Sequence, residues 1–255
     1  MRNIYSKIKI MMATVGLIAA PSLASASANL AADDFVGISF WLISMALVAA
    51  TAFFFMETQR VSGKWKTSLT VSGLVTLVAA VHYFYMRDVW VATGETPLVY
   101  RYIDWLLTVP LLIIEFYLIL SAITKTPVGV FWRLLIGSLV MLGFGFAGEA
   151  GAMDVSLAFW IAMAAWVFIM WEIFFGQASK INAGSGNANV QKAYKAMALL
   201  VTIGWAIYPI GYFMGYMMDS ANPDALNIIY NVADLWNKIA FGLVIWAAAI
   251  ADSEQ

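Results

Sequence analysis

The chain has 255 residues, of which 63% are hydrophobic and only 11% are charged. A soluble domain usually carries about a quarter charged residues, so this composition indicates an integral membrane protein. The net charge of −1 offers no basic surface for nucleic acid. Because the chain has no cysteine and one histidine, thiolate chemistry is excluded and we predict no metal site.

The N-terminus has the pattern of a secretory signal peptide. Arg2, Lys7 and Lys9 precede an apolar stretch at 10–20, and the small residues ASASA follow at 24–28. The apolar stretch is shorter than the roughly 20 residues that a membrane-spanning helix needs. We therefore predict a removable signal peptide over 1–28, followed by one membrane domain over 29–255. The alternative is an uncleaved amphipathic tail.

The rest of the chain contains seven apolar runs with helical rather than strand periodicity. They predict an all-α membrane protein, a bundle of seven transmembrane helices, although the fourth run is short for a span. The segment 176–195 is predicted to be a flexible connection rich in glycine, alanine and asparagine. Pro110 and Pro209 lie within runs and are expected to kink them. The runs cover residues of about 35–56, 68–86, 98–120, 131–147, 155–175, 196–218 and 226–251.

The loops between these runs carry their charges asymmetrically. Basic residues concentrate in alternate loops, and the opposite loops hold mainly Asp and Glu, with Arg87 as their basic residue. Since excess Lys and Arg stays cytoplasmic, we predict an outside N-terminus and a cytoplasmic C-terminus. The basic residues on the cytoplasmic side are Arg60, Lys64, Lys66, Lys125, Lys180, Lys192 and Lys195.

The third run, RYIDWLLTVPLLIIEFYLIL, contains three ionisable residues. Asp104 and Glu115 are separated by about three helical turns, so they share one face at roughly 16 Å along the axis. Arg101 lies one turn outward, in position to pair with Asp104, and Thr108 continues the face inward. Taken singly, each residue has an ordinary explanation. The Arg101–Asp104 pair could fix helix register, and Glu115 could be solvated near the inner interface.

The seventh run adds a cation near the middle of the membrane. Asp234 and Lys238 form an i,i+4 pair, and Lys238 should lie deeper than Asp104 but shallower than Glu115 when measured from outside. A charge at the bilayer centre costs about 2.5–3.5 kcal/mol on insertion scales and usually marks a functional pathway. His82, at about the depth of Asp104, could hydrogen-bond that carboxylate or simply a backbone carbonyl.

A buried lysine beside carboxylate counterions suits a Schiff base with an aldehyde cofactor. Large aromatic rings could form the pocket of a long polyene, although ordinary membrane packing would also explain them. These rings lie on four helices, at Trp105, Trp160, Trp205, Tyr208 and Trp236.

Three motifs together resemble those of the microbial rhodopsins, and of the proteorhodopsin group within them. They are RYIDWLLTVPLL followed by Glu115, WAIYP at 205–209, and D-x-x-x-K at 234–238. The resemblance covers essentially the whole chain after the signal peptide. It implies a seven-helix bundle that binds all-trans retinal on Lys238 as a protonated Schiff base. It also implies a light-driven outward proton pump, which is a transporter rather than an enzyme. The resemblance further implies a place in the lipid bilayer of the bacterial inner membrane and, commonly, assembly into a pentamer or hexamer.

The same resemblance assigns roles to individual residues. Asp104 corresponds to the primary counterion and proton acceptor, Asp234 to the second counterion, and Glu115 to the cytoplasmic proton donor. Arg101 corresponds to the arginine that orders the outer water network, and His82 to the histidine against the acceptor. The residues that match pocket positions are Trp105, Thr108, Leu112, Trp160, Trp205, Tyr208 and Pro209, of which Trp160 is the looser match.

Further expectations concern colour, proton release and other functions. Leu112 resembles the leucine of green-absorbing members, where blue-absorbing members have glutamine, so we predict green absorption. Asp219 and Asp224 do not reproduce the outer glutamate pair of bacteriorhodopsin, so release is expected to be late or to use another route. The alternatives are a photosensory rhodopsin that signals to a transducer, and an ion transporter or channel without retinal. Glu115 favours the pump over the sensor.

Overall fold

The structure is a computed structural model that describes residues 30–218, 220 and 222–254. The predicted signal peptide lies outside the described residues. Nine α-helices are formed within the described part, with a short 3₁₀ turn at Gly63–Trp65 and π-helical turns at Leu200–Gly204 and Phe213–Met217. The helices are α1 (Phe35–Glu57), α2 (Lys66–Thr93), α3 (Leu98–Ser121), α4 (Val128–Glu149), α5 (Val155–Phe174), α6 (Gln177–Gly184), α7 (Ala188–Leu199), α8 (Ile207–Tyr212) and α9 (Pro223–Ser253).

These elements build seven membrane spans, as the sequence predicted. In the described part of the chain, seven helical segments are long and apolar enough to cross a bilayer. The fifth span continues from α5 into α6, and the sixth runs from α7 through both π turns and α8. Consecutive spans pack against each other, and α9 packs on α1, α2 and α7, which closes the bundle into a ring. The protein is therefore a multi-pass membrane protein.

Several helices begin at residues whose side chains cap them. The carboxylates of Asp34 and Asp154 each accept a hydrogen bond at 2.8 Å from the backbone N–H three residues further along. At the start of α9, Asn222 is the cap and Pro223 takes the first helical position. Such caps satisfy N–H groups that have no partner inside the helix, which fixes where α1, α5 and α9 start.

The prediction of a flexible connection over 176–195 is wrong. Most of that segment is helical, because α6 extends the fifth span and α7 begins at residue 188. Asn187 caps α7 by accepting a hydrogen bond from the N–H of Val190 at 3.0 Å. The turn itself is confined to a few residues around Gly186, whose φ of 70° suits glycine. Polar composition here marks helices that end outside the hydrocarbon rather than an irregular loop.

The fourth span is longer than its apolar run suggested. With 22 residues, α4 is long enough to cross the bilayer. Arg133 lies inside α4 and donates to Glu172 of α5 at 2.9 and 3.1 Å, in a bidentate ion pair. Glu172 is 1% exposed and also accepts from the N–H of Ala178. This pair joins the first turns of α4 to the last turn of α5.

The two intramembrane prolines have different surroundings. The helix α3 continues through Pro110 from residue 98 to residue 121. Pro209 instead lies in α8, the short helix between the two π turns of the sixth span. A π turn widens the backbone locally and often lies at a functional site. The irregular part of the bundle is therefore the sixth span, beside the centre of α9.

Candidate functional site

The amine of Lys238 lies between two carboxylates in the middle of the bundle. Its Nζ atom is 2.5 Å from Oδ2 of Asp104 on α3 and 2.9 Å from Oδ2 of Asp234, one turn earlier on α9. All three side chains are at most 2% exposed. A buried charge is tolerated only when it is paired and hydrogen-bonded, and this arrangement provides both. The structure thus joins the intramembrane charges of the third and seventh spans.

Asp234 is held by hydrogen bonds from three other elements. The hydroxyl of Tyr83 on α2 donates to it at 2.9 Å and that of Tyr208 on α8 at 2.7 Å. The indole N–H of Trp105 on α3 donates at 3.1 Å. Both oxygens of this carboxylate therefore have donors besides the lysine, so its position is fixed from several sides.

Asp104 has fewer partners. Its Oδ2 atom accepts from Lys238, whereas its buried Oδ1 atom has no hydrogen-bond partner among the described residues. The hydroxyl of Thr108 donates to the backbone carbonyl of Asp104 at 2.9 Å rather than to the carboxylate. A carboxylate with an unused oxygen next to an ammonium can receive a hydrogen more readily than one whose oxygens are all occupied.

Arg101 contacts asparagines of α9 rather than Asp104. Its Nη2 atom donates to the side-chain oxygens of Asn227 and Asn231, each at 3.0 Å. The guanidinium carbon also lies 5.5 Å from the ring centroid of Tyr230, within cation–π range. The spacing on α3 placed Arg101 one turn from Asp104, but its long side chain extends to these two asparagines instead. The described residues therefore show no ion pair between Arg101 and Asp104.

His82 makes the backbone contact that the sequence left as one of two possibilities. Its Nδ1 atom is 2.8 Å from the carbonyl oxygen of Val78, so Nδ1–H donates to that carbonyl. The ring is half-buried. His82 therefore makes the backbone hydrogen bond and not the alternative one to the carboxylate of Asp104.

Glu115 lies deep in the bundle, separated from the lysine. It is 1% exposed, and neither carboxylate oxygen has a hydrogen-bond partner in the described part of the chain. The hydroxyl of Ser68 on α2 is a neighbouring polar group. Because its surroundings are mainly apolar, Glu115 is positioned to hold a proton rather than a charge.

A cavity of about 830 Å³, including its opening, ends at the lysine. Its wall is mainly aromatic and aliphatic, as is usual for sites that bind small apolar molecules. Six of the residues singled out in the sequence line it together with Asp234, namely Trp105, Leu112, Trp205, Tyr208, Pro209 and Lys238.

Two of the expected pocket tryptophans face outward. Trp160 is 62% exposed and Trp236 is 65% exposed, and neither lines the cavity. Trp166 lines it instead, on the same side of α5 as Phe159 and Met163. At about 3.6 residues per turn, positions 159, 163 and 166 share a helix face, whereas 160 and 166 do not. This spacing could have shown from the sequence that Trp166, and not Trp160, lies on the same helix face as Phe159 and Met163. Thr108 is fully buried, but it is not among the residues that line the cavity.

Other lining residues were missed because they carry no motif. Glu149 at the end of α4 accepts a hydrogen bond of 2.6 Å from the hydroxyl of Tyr102. Met141 and Gly145 line the cavity from the same helix, and Asn237 does so next to the lysine. Their i,i+4 spacing along α4 was visible in the sequence, but only the packed bundle shows which face of that helix is inward.

The residues around the cavity define its chemistry. A single amine lies at one end of an apolar chamber with flat rings, which fits an elongated apolar aldehyde that condenses with the amine. No group of three His, Cys, Asp or Glu side chains that could hold a metal ion occurs among the residues described.

Comparison with known proteins identifies the family of the chain. The family model described as bacteriorhodopsin-like protein matches residues 34–252. The chain therefore belongs to the bacteriorhodopsin-like family, which implies retinal as the chromophore.

Individual relatives are more specific. The chain is 53% identical over 248 residues to the green-light absorbing proteorhodopsin of Gamma-proteobacterium EBAC31A08, covering 97% of this chain and 99% of the relative. The crystal structure of a blue light-absorbing proteorhodopsin from Med12 is 57% identical, with a TM-score of 0.75, over 86% of this chain and 99% of that one. Xanthorhodopsin, a light-driven ion pump with dual chromophore, is 27% identical with a TM-score of 0.75, over 86% and 93% of the two chains.

Proposed function

We propose that this protein is a light-driven outward proton pump that uses all-trans retinal bound to Lys238. The observation that carries the proposal is the lysine amine between two carboxylates, of which only Asp104 has an oxygen without a partner among the described residues. The similarity to proteorhodopsins over nearly the whole chain supports it.

The cavity residues divide into those that hold the chromophore and those that act on protons. Joined to Nζ of Lys238 as a protonated Schiff base, retinal supplies light absorption and a change of shape at that nitrogen. Trp105, Trp205 and Tyr208 would hold the polyene through their rings, and Leu112 would contact it from α3.

Asp104 is the proposed proton acceptor. Its Oδ2 atom is 2.5 Å from the lysine nitrogen, within the distance over which a proton passes directly along a hydrogen bond. Asp234 lies 2.9 Å from the same nitrogen, but its oxygens already accept from Tyr83, Trp105 and Tyr208. Asp234 is therefore the fixed second counterion, and Asp104 is the group that changes its protonation.

Glu115 is the proposed donor that returns a proton to the lysine nitrogen. It lies about 16 Å from Asp104 along α3, on the opposite side of Lys238 in depth. With the acceptor at one end and the donor at the other, each cycle moves a proton from the Glu115 side to the Asp104 side. Given the loop charges, that direction is outward.

The first experiment measures visible absorption and light-driven proton transport in the same cells. Cells that express the full chain with added all-trans retinal should show a visible absorption band, and illumination should acidify a weakly buffered medium until a protonophore is added. The variant Lys238→Ala should lose the band, while Lys180→Ala, at an exposed lysine of α6, should keep it. Colour without any light-driven pH change would favour a sensor, and failure to form colour would favour a transporter that does not use retinal.

A second experiment addresses the acceptor. Asp104→Asn should shift the band to longer wavelength, because the negative charge next to the nitrogen is removed, and it should stop light-driven acidification. Glu95→Gln, at an exposed carboxylate on the same side of the bundle, is the matched control and should leave both properties unchanged. Continued pumping by Asp104→Asn would exclude the acceptor role.

A further inference from the structure

Asn237 is a buried polar residue next to Lys238 that the mechanism above does not use. It is 2% exposed and lines the cavity. Its Nδ2 atom donates to the backbone carbonyl of Gly204 at 3.0 Å and to the hydroxyl of Tyr208 at 3.3 Å. The seventh span is thus joined to the sixth span at the residue that precedes the lysine.

The π turn of the sixth span makes the Gly204 carbonyl available. In a regular helix this carbonyl would accept from the N–H of residue 208, but that N–H bonds to the carbonyl of Trp205 at 3.1 Å. The next residue, Pro209, has no N–H to offer. Without the amide of Asn237, this carbonyl would have no hydrogen-bond partner among the described residues.

Gly204 also fits the amide closely. A Cβ atom at this position would collide with Oδ1 of Asn237. The carbonyl of Gly204 can only accept, so the amide must present its NH₂ group to it, which fixes the orientation of the side chain. The link therefore depends on a residue from each span.

Tyr208 connects this link to the counterion. Its hydroxyl accepts from Asn237 and donates to Oδ1 of Asp234 at 2.7 Å. Hydrogen bonds in such a chain strengthen one another, so the bond from the amide reinforces the bond to the carboxylate. Asp234 in turn contacts the Lys238 amine at 2.9 Å.

We propose that Asn237 is a positioning residue for proton transfer, which holds the Tyr208 hydroxyl on Asp234 and fastens it to the π turn at Gly204. The inference rests on the proposed function, because it assigns to Asn237 an effect on the proton-transfer group at Lys238. It also gives the π turn a role in transmitting motion, because a displacement of the backbone at Lys238 would move the Asn237 amide and, through it, the sixth span.

A double-mutant cycle tests the proposal against a simple packing role. Asn237→Leu keeps the volume but removes the donors, and Tyr208→Phe removes the hydroxyl. In the retinal-loaded full chain, Asn237→Leu should shift the absorption band in the same direction as Tyr208→Phe. It should slow proton transfer by about twofold to tenfold, the range for one neutral hydrogen bond. In the Tyr208→Phe background, the same substitution should have no further effect on the band.

Gly204→Ala perturbs the link from the other span and covers the case in which Asn237→Leu does not fold. It displaces the amide without changing its chemistry, so it should shift the band in the same direction. Equal effects of Asn237→Leu with and without the Tyr208 hydroxyl, or an unchanged band in Gly204→Ala, would overturn the positioning role. Failure of the wild-type chain to form pigment would instead overturn the proposed function, and the inference with it.

Discussion

At the scale of single side chains, Asp104 and Asp234 share one ammonium group but differ in their other partners. Donors from α2, α3 and α8 occupy Asp234, while one oxygen of Asp104 has none within the described residues. The sequence could place both carboxylates near Lys238, because spacing along a helix determines depth and face. It could not show how the donors are divided, since Tyr83 and Tyr208 come from spans that meet only in the folded bundle.

The donor role of Glu115 gives a prediction at this scale. Glu115→Gln removes the proton that the side chain would return, so the visible band should stay close to the wild-type position while recovery of the photocycle slows. The proton must then come from the medium, and recovery should slow further as the pH rises. Flash photolysis across pH measures both effects. A photocycle with wild-type rate and pH dependence would remove Glu115 from the donor role.

Leu112 carries the prediction of colour. The chain is similar to both green-absorbing and blue-absorbing relatives, so overall identity does not distinguish them. Leu112 lines the cavity and is 3% exposed, so an amide in its place would add a dipole beside the chromophore. We expect green absorption, and Leu112→Gln should shift the band toward the blue. Leu107→Gln, on the exposed face of the same helix, should not, and an unmoved band in Leu112→Gln would contradict the assignment.

At the scale of elements, the long apolar runs predicted the seven spans, but they did not predict the π turn of the sixth span or the helix α6. The π turn at Leu200–Gly204 was not predicted, and the carbonyl of its last residue accepts from the amide of Asn237, which lies on a different span. The helix α6 was missed for a related reason. Its polar composition resembles a linker, but its first turn is held by Glu172, which accepts from Ala178 at 2.9 Å.

Two of the three tryptophans of α5, Trp160 and Trp166, give a matched test of which helix face is inward. Trp166 lines the cavity and its indole donates to the carbonyl of Val201 at 3.3 Å, whereas Trp160 is largely exposed. Trp166→Ala should shift the band and destabilise the pigment by about 3 kcal/mol, at the lower end for loss of a large aromatic side chain. Trp160→Ala should change neither property. Absorption spectra and thermal bleaching measure both, and equal effects would mean that the cavity wall is assigned incorrectly.

At the scale of the whole molecule, the direction of transport depends on how the bundle is oriented in the membrane. Asp104 contacts Lys238, and Glu115 lies about three helical turns further along α3, but the same bundle would pump in the other direction if it were inserted the other way round. The proposed orientation, with the C-terminus cytoplasmic in the cell membrane, comes from the loop charges. Assembly into pentamers or hexamers remains a prediction of the family resemblance, which native mass measurements can check.

The absence of cysteine from the chain permits a direct test of that orientation. Glu95→Cys lies in the exposed connection before α3, and Glu254→Cys lies at the exposed end of α9. In intact cells, a maleimide that does not cross membranes should label only Glu95→Cys, because excess Lys and Arg holds the other end in the cytoplasm. Both variants should be labelled once the cells are opened, which controls for reactivity. Labelling of Glu254→Cys alone in intact cells would reverse the bundle, and the same acceptor and donor would then drive protons inward.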